Sequence, residues 1–299
     1  MYPTRFSVIV PSTIDEALDA LSRYGEDAKI LAGGHSLIPI MKLRLSSPRY
    51  LIYIGKIPGL SYIKEEAGKI HIGCMTTHAA IESSELLTIK NPLLSETASK
   101  IGDLQVRNMG TIGGSLSHAD PAADYPASIL ALDAEIIARS KKGERIIRAG
   151  EFFKGPFTTA LRSDEMLFEI RIPVLQGFFG TAYEKLVFRA TDFAIVGVAS
   201  LVELDKGGTI TRASVALTGV GGTPIRARGV EEELIGRQAN KELIAKASAR
   251  ASENLNPPSD IRASSEYRKA MASVMTKRAL LKALEMVFHR RTIQSSGPP

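Results

Sequence analysis

Two short stretches carry the residues whose types and spacing could do chemistry. Residues 31–36 read L-A-G-G-H-S, and residues 110–115 read G-T-I-G-G-S. Each sets two adjacent glycines beside hydroxyl side chains: Ser36 after the first pair, Thr111 and Ser115 around the second. Glycine is costly to order, but it admits positive φ and clears side chains from a patch of backbone. A glycine pair therefore serves either as a tight turn or as a nest of N–H groups aimed at an anion. One pair alone reads most simply as a turn. Two pairs, each with hydroxyl donors, suit a ligand with two phosphates. Neither stretch leads into the Lys of G-x-x-x-x-G-K-[ST], and G-T-I-G-G-S has the wrong spacing for G-x-G-x-x-G. A doubly wound dinucleotide fold is thus disfavoured.

Other reactive side chains read as supports. His35, His71, His78, His118 and His289 lack a metal-ligand spacing such as H-E-x-x-H, and no nucleophile–base triad is evident. His35 and His118 lie in the glycine-rich loops, where each ring either braces its loop or touches a ligand; His71 and His78 read as structural or surface residues. Arg107 precedes the second pair and either aids phosphates or forms a structural ion pair, the latter being favoured. Asp103 and Asp120 read as loop braces. Cys74, the only cysteine, reads as a small buried strand residue. Alone it excludes an internal disulfide, a thiolate zinc site and an iron–sulfur cluster on this chain. A reducing cytoplasm fits that usage.

The elements that must position these loops are legible in outline. Residues 6–10 read as a strand. Thr13 with Glu16 three residues later signals a capped helix, whose apolar face is Ile14, Ala17, Leu18 and Leu21, with Gly25 as its stop. Residues 29–32 form the next strand, so the first glycine pair closes a strand–helix–strand unit. Strands follow at 50–54 and 70–74. Thr76 or Thr77 caps a helix reaching to about Leu87, Asn91-Pro92 breaks it, and 93–101 is helical again. Residues 102–121 read as loop, 125–132 as helix, and 135–138 and 145–148 as a hairpin pair. A strand at 166–172 ends at Pro173. Beyond a boundary near 175–180 come three strand-like runs (182–189, 193–204, 209–220) and then helices at about 229–236, 240–253 and 264–289. The last has Met271, Val274, Met275, Leu281, Leu284 and Phe288 near one face.

Composition agrees with a folded α+β chain of 299 residues, 44% hydrophobic and 23% charged. The longest nearly unbroken apolar run, 193–202, is half a membrane span, and no signal h-region is evident. The net charge is +6, from 38 Lys+Arg against 32 Asp+Glu. Eight of the basic residues fall between 262 and 291, which reads as a solvated or partner-facing helix. With aromatics at 6% and none interleaved with that cluster, a nucleic-acid platform is disfavoured.

At this point the residues carry a resemblance. A-G-G-H-S-L-I-P-I-M-K-L-R-L (32–45) with I-G-D-L-Q-V-R-N-M-G-T-I-G-G-S-L-S-H-A-D-P-A-A-D (101–124) resembles the FAD-binding medium subunit of the molybdenum hydroxylases, in particular the medium chains of aerobic carbon monoxide dehydrogenase and bacterial xanthine-type dehydrogenases. Residues 72–81, 184–200, 219–228 and 264–280 extend the similarity, in order, over nearly the whole chain. The resemblance implies an α+β, two-subdomain FAD-binding fold of the vanillyl-alcohol-oxidase (PCMH-like) type, at about 1–60 and 61–175. It also implies a C-terminal domain, 176–299, with a three-stranded antiparallel sheet and helices. It further implies that Ala32, Gly33, Gly34, His35 and Ser36 together with Thr111, Ile112, Gly113, Gly114 and Ser115 hold the FAD diphosphate. By the same likeness Asp124 bonds the cofactor, and Leu167, Lys185 and Phe193 lie beside the flavin ring. Phe193 stands where the carbon monoxide enzymes carry Tyr, which keeps the aromatic face and removes a hydroxyl. The four-cysteine insertion of hydroxybenzoyl-thioester reductases is ruled out by the single cysteine.

The implied partners are a small subunit with two [2Fe–2S] clusters and a large molybdenum–pterin subunit, in a cytoplasmic dimer of heterotrimers. FAD here would take electrons from the clusters and pass them to an external acceptor. A stand-alone FAD reductase of the same superfamily, such as the enolpyruvyl-sugar reductase, is the alternative. S-H-A-D-P-A-A-D and the basic last helix fit the hydroxylase subunit better.

Overall fold

The structure, a computed structural model, describes residues 2–295. The chain opens with β1 (Ser7–Ile9), α1 (Ile14–Tyr24), β2 (Ala28–Leu31), α2 (Leu37–Lys42) and β3 (Tyr50–Tyr53). The three strands pair in parallel in the order β1-β3-β2. Helix α1 starts where Thr13 accepts the Glu16 amide at 3.2 Å; Glu16 in turn reaches back to the Ser12 amide at 2.7 Å. Its stop is Gly25 at φ +52.

A second sheet follows, built from β4 (Ile63–Glu66), β5 (Lys69–Gly73), β6 (Glu135–Ser140), β7 (Gly143–Arg148) and β10 (Met166–Pro173). It is antiparallel throughout, in the order β4-β5-β10-β6-β7. Between β5 and β6 run α3 (His78–Glu82), α4 (Glu85–Lys90), α5 (Pro92–Ser99), α6 (Leu104–Met109), α7 (Ile112–His118) and α8 (Tyr125–Ala131). Between β7 and β10 lie α9 (Ala149–Phe152) and a small hairpin of β8 (Phe153–Gly155) and β9 (Thr158–Thr159). Leu18, Ile52, Ile70, Ile72, Tyr125, Ile136 and Ile170 share one core, so the first two sheets close on the same apolar interior.

The last sheet has three nine-residue antiparallel strands, β11 (Phe178–Leu186), β12 (Val196–Leu204) and β13 (Ile210–Thr218). The two-residue β14 (Ile225–Arg226) adds a fourth beside them. Helices α10 (Arg228–Leu234), α11 (Lys241–Ala249) and α12 (Ser265–Ser295) cover one face. Both faces of this sheet are buried. Ala182, Val196, Val198 and Val202 join a core with the helices, whereas Tyr183, Ala199 and Ala216 point into the first core. That two-sided burial explains why 193–202 reads as an unbroken apolar run rather than an alternating one.

Several expectations change in detail. Residues 102–121 are not loop but hold α6 and α7, each under two turns long. The helix expected from Thr76 or Thr77 to Leu87 is two helices, α3 capped by Thr77 and α4 by Ser84. On α12 the buried face is Ala272, Met275, Ala279, Leu280, Ala283, Leu284 and Val287, while Val274 and Phe288 are exposed. The reason is close packing: a Cβ on Gly180 of β11 would overlap the Ala283 carbonyl, so small residues face the sheet. The basic helix also turns partly inward. Arg268 is buried and donates to the carbonyls of Ile195 (2.6 Å) and Gly219 (3.0 Å) and to Asp260 (2.8 Å). Lys282 bonds Glu96 and Glu184, and Arg290 and Arg291 lie over Phe179 and Phe178. Among the described residues no helix is long and apolar enough to cross a membrane.

Candidate functional site

The two glycine pairs, some 80 positions apart in sequence, meet in space. A Cβ on Gly33 would overlap the Met109 carbonyl oxygen and lie 2.9 Å from the Gly110 Cα. A Cβ on Gly114 would stand 3.7 Å from that of Ala32. The first loop follows β2, where parallel pairing with β3 stops at Leu31. Gly34 then takes φ +73, a left-handed value that reverses the chain into α2. Among the described residues no group accepts a hydrogen bond from the amides of Gly34, His35 or Ser36, and the Ser36 hydroxyl is equally unengaged. His35 is exposed and its Nδ1 lies 2.9 Å from the Gly33 carbonyl oxygen, so the ring braces the turn.

The second loop differs in kind. Its glycine amides and their neighbours have acceptors: Ile112 donates to the Thr76 carbonyl, Gly113 to the Cys74 carbonyl, Gly114 to the Thr111 hydroxyl and Ser115 to the Thr111 carbonyl. It is therefore not a second amide nest. Its glycines permit close approach: a Cβ on Gly113 would sit 2.6 Å from the Cys74 Cβ. What this loop offers outward is the Ser115 hydroxyl, unengaged among the described residues, beside Gly114. Ile112 and Gly113 are buried beneath.

Behind the loops stands His78, 4% exposed, with Nε2 against Gly110 and its ring 5.2 Å from that of Tyr125. Burial, with smaller help from His35 and Arg107, pushes its pKa down to about 4, so it is neutral. Arg107 forms an ion pair with Glu82 at 2.8 Å and donates to the carbonyls of Ile101 and Gly102, a structural clamp on α6. Asp103 caps α6 through the Val106 amide, and Asp120 accepts from Ala122. His118 packs half-buried against Phe157.

Asp124, Tyr183 and Lys185 form a separate, buried group. Tyr183 and Lys185 are two apart on β11 and so face the same way. The Tyr183 hydroxyl donates to Asp124 Oδ1 at 2.6 Å, and Lys185 Nζ donates to Oδ2 at 2.9 Å and to the Lys100 carbonyl at 2.9 Å. Asp124 is 4% exposed and the Lys185 side chain 5%. Burial raises the Asp124 pKa above the ordinary carboxylate value, against the downward pull of Lys185 and Tyr183. The loop bearing Asp124 is fixed to the last sheet: Thr218 donates to the Pro121 and Ala123 carbonyls, Gly219 to Pro121 and Ala194 to Ala122. Leu167 is buried where a register irregularity breaks the β10–β6 ladder between Leu167 and Glu169. Phe193 is 44% exposed, on the turn between β11 and β12. Sequence reasoning missed Tyr183 as part of this site, and no short motif marks it; of the two readings of His78, structural or surface, the structure shows the structural one.

Comparison with known proteins adds an independent finding. The family described as FAD binding domain in molybdopterin dehydrogenase matches residues 4–175, and CO dehydrogenase flavoprotein C-terminal domain matches 181–283. The glyceraldehyde dehydrogenase medium chain of Sulfolobus acidocaldarius is 42% identical over 93% of this chain and 98% of its own. The carbon monoxide dehydrogenase medium chain of Hydrogenophaga pseudoflava is 41% identical over 94% and 97%. A solved carbon monoxide dehydrogenase from Hydrogenophaga pseudoflava superimposes with a TM-score of 0.93 over 96% of this chain and 99% of that one. Quinoline 2-oxidoreductase from Pseudomonas putida 86 does so at 0.90, with 30% identity, over 96% and 99%.

Proposed function

The chain belongs to the family of FAD-binding medium subunits of molybdenum hydroxylases, and from that premise we propose that it relays electrons from a partner subunit to an external acceptor. Bound FAD supplies the redox chemistry, since it can exchange one or two electrons. The chain's own residues bind and orient it.

The single observation that carries the binding side is the run of unengaged amides at Gly34, His35 and Ser36. Three successive N–H groups with no acceptor, on a bend opened by Gly33 and Gly34, fit a diphosphate. The Ser36 and Ser115 hydroxyls add donors, and Ala32, Gly33, Thr111 and Gly114 shape the wall. Ile112 and Gly113 act from beneath by holding that wall. Asp124, Leu167, Lys185 and Phe193 are assigned to the ring side. Residues 1–60 and 61–175 are the two halves of the grip, and 176–299 the third unit.

The partner side rests on the family likeness, and one feature of this chain agrees with it. An iron–sulfur cluster needs thiolate ligands that one buried cysteine cannot supply. By the family likeness we assign the [2Fe–2S] centres and the molybdenum–pterin to a small and a large partner chain, assembled as a dimer of heterotrimers in the cytoplasm. Purification from the native source tests this. The expected preparation is yellow, releases FAD on denaturation, and contains two further chains with iron and molybdenum. A flavin-free preparation, or an isolated chain that oxidises NADPH with a substrate of its own, would overturn the reading.

A further inference from the structure

We propose that Tyr183, a residue of the last sheet, is a positioning residue that fixes the Asp124 carboxylate for the flavin. The inference rests on the reading of Asp124 as a cofactor contact. It goes further by assigning a role to the other domain.

Three observations meet at Tyr183 on the edge strand of the last sheet. First, the Tyr183 hydroxyl donates to the Asp124 carboxylate at 2.6 Å with both residues buried, so little water competes for that bond. Second, the room for that hydroxyl exists only because position 197 is glycine. A Cβ there would collide with the Tyr183 hydroxyl and stand 2.7 Å from Thr218 Cγ2. Third, the Tyr183 amide donates to Glu96 of α5 at 3.2 Å, which ties the backbone of the same residue to the first core. Tyr183 is thus held at both its main chain and its hydroxyl across the boundary between the two matched domains.

The chemistry of the contact gives it a function. A carboxylate oxygen can accept two hydrogen bonds, so with one donor on each oxygen Asp124 keeps acceptor capacity for a ligand, in a fixed direction. Lys185, itself held on the Lys100 carbonyl, supplies charge to one oxygen; the phenol adds a second donor on the other. The charged and titratable groups facing Asp124 are Lys185 and Tyr183 from β11, Asp120 from its own loop and Tyr125 from α8. Strands β12 and β13 present Gly197 and Thr218 there, which carry no charge. Removing the phenol hydroxyl leaves burial opposed by Lys185 alone, so protonation of Asp124 sets in at higher pH.

The test is FAD retention against pH in the purified full-length protein within its complex, followed by flavin fluorescence on dilution, for wild type, Tyr183→Phe, Gly197→Ala and Tyr183→Phe/Asp124→Asn. Tyr183→Phe is expected to weaken FAD binding about tenfold at acidic pH and to move the midpoint of acid release up by about one pH unit. Gly197→Ala is expected to do the same by displacing the hydroxyl. In the double variant the pH dependence is expected to vanish, because the titrating group is gone. If Tyr183→Phe lowers the melting temperature but leaves the pH profile of retention unchanged, the role is structural and the proposal fails. If wild type holds no FAD at any pH, the reading of the site itself fails instead.

Discussion

Gly33 and His78 show how little side-chain chemistry the site needs and how much space control. At Gly33 a methyl group would overlap the Met109 carbonyl, so the meeting of the two loops depends on a missing atom. At His78 the ring fills the space behind Gly110 and is held neutral by burial. That neutrality has a pH cost with a definite sign. In the unfolded chain the imidazole takes a proton near 6.5, but in the folded chain only near 4. Stability is therefore full above the unfolded value and falls as the pH drops from about 6.5 to about 4. The full difference is about 3 kcal/mol. Denaturant unfolding of His78→Phe is expected to show a flatter stability profile over that window than wild type; equal slopes would show that His78 is solvated.

Among the elements, α7 depends most on its surroundings. Two of its first three residues are glycine, the poorest helix former after proline. It forms because Thr111 caps it through the Gly114 amide and because the Ile112 and Gly113 amides are anchored on the Thr76 and Cys74 carbonyls. Thr111→Ala is expected to lower stability by about 1 kcal/mol and to loosen the second loop, measurable as lower FAD affinity in titration. An unchanged affinity would show that the anchors alone suffice. Thr111 heads no S/T-x-x-E/Q box in the sequence, and a glycine-rich helix under two turns long is indistinguishable from loop until its neighbours are in place.

For the whole molecule, α12 is the element that binds the last sheet to the loop carrying Asp124. Arg268 bonds the Ile195 and Gly219 carbonyls, and the Gly219 amide donates to Pro121. Arg268→Met removes a buried donor from two carbonyls and is expected to lower stability by about 3 kcal/mol. It is also expected to make FAD dissociation faster in stopped-flow dilution. If FAD dissociates at the wild-type rate from a folded variant, this chain of contacts does not reach the site. The basic stretch at 262–291 reads as solvated or partner-facing because charge in a sequence carries no direction. In the fold Arg268 is turned inward by carbonyls freed where β12 begins and β13 ends.

The sequence by itself determined the two glycine bends, the strand–helix–strand unit that sets up the first, the all-round apolar strands of the last sheet and the family resemblance. These are local properties: backbone conformation, capping and hydrophobic period act over a few residues and leave a mark in order. Only the tertiary structure decided that the first bend keeps free amides while those of residues 112–115 in the second are filled. The same holds for the placing of Tyr183 and Lys185 on one carboxylate, and for the inward turn of Arg268. Those outcomes depend on donors and acceptors that meet across some 35 to 75 positions, and hydrogen-bond satisfaction in a packed interior has no signature in any single stretch.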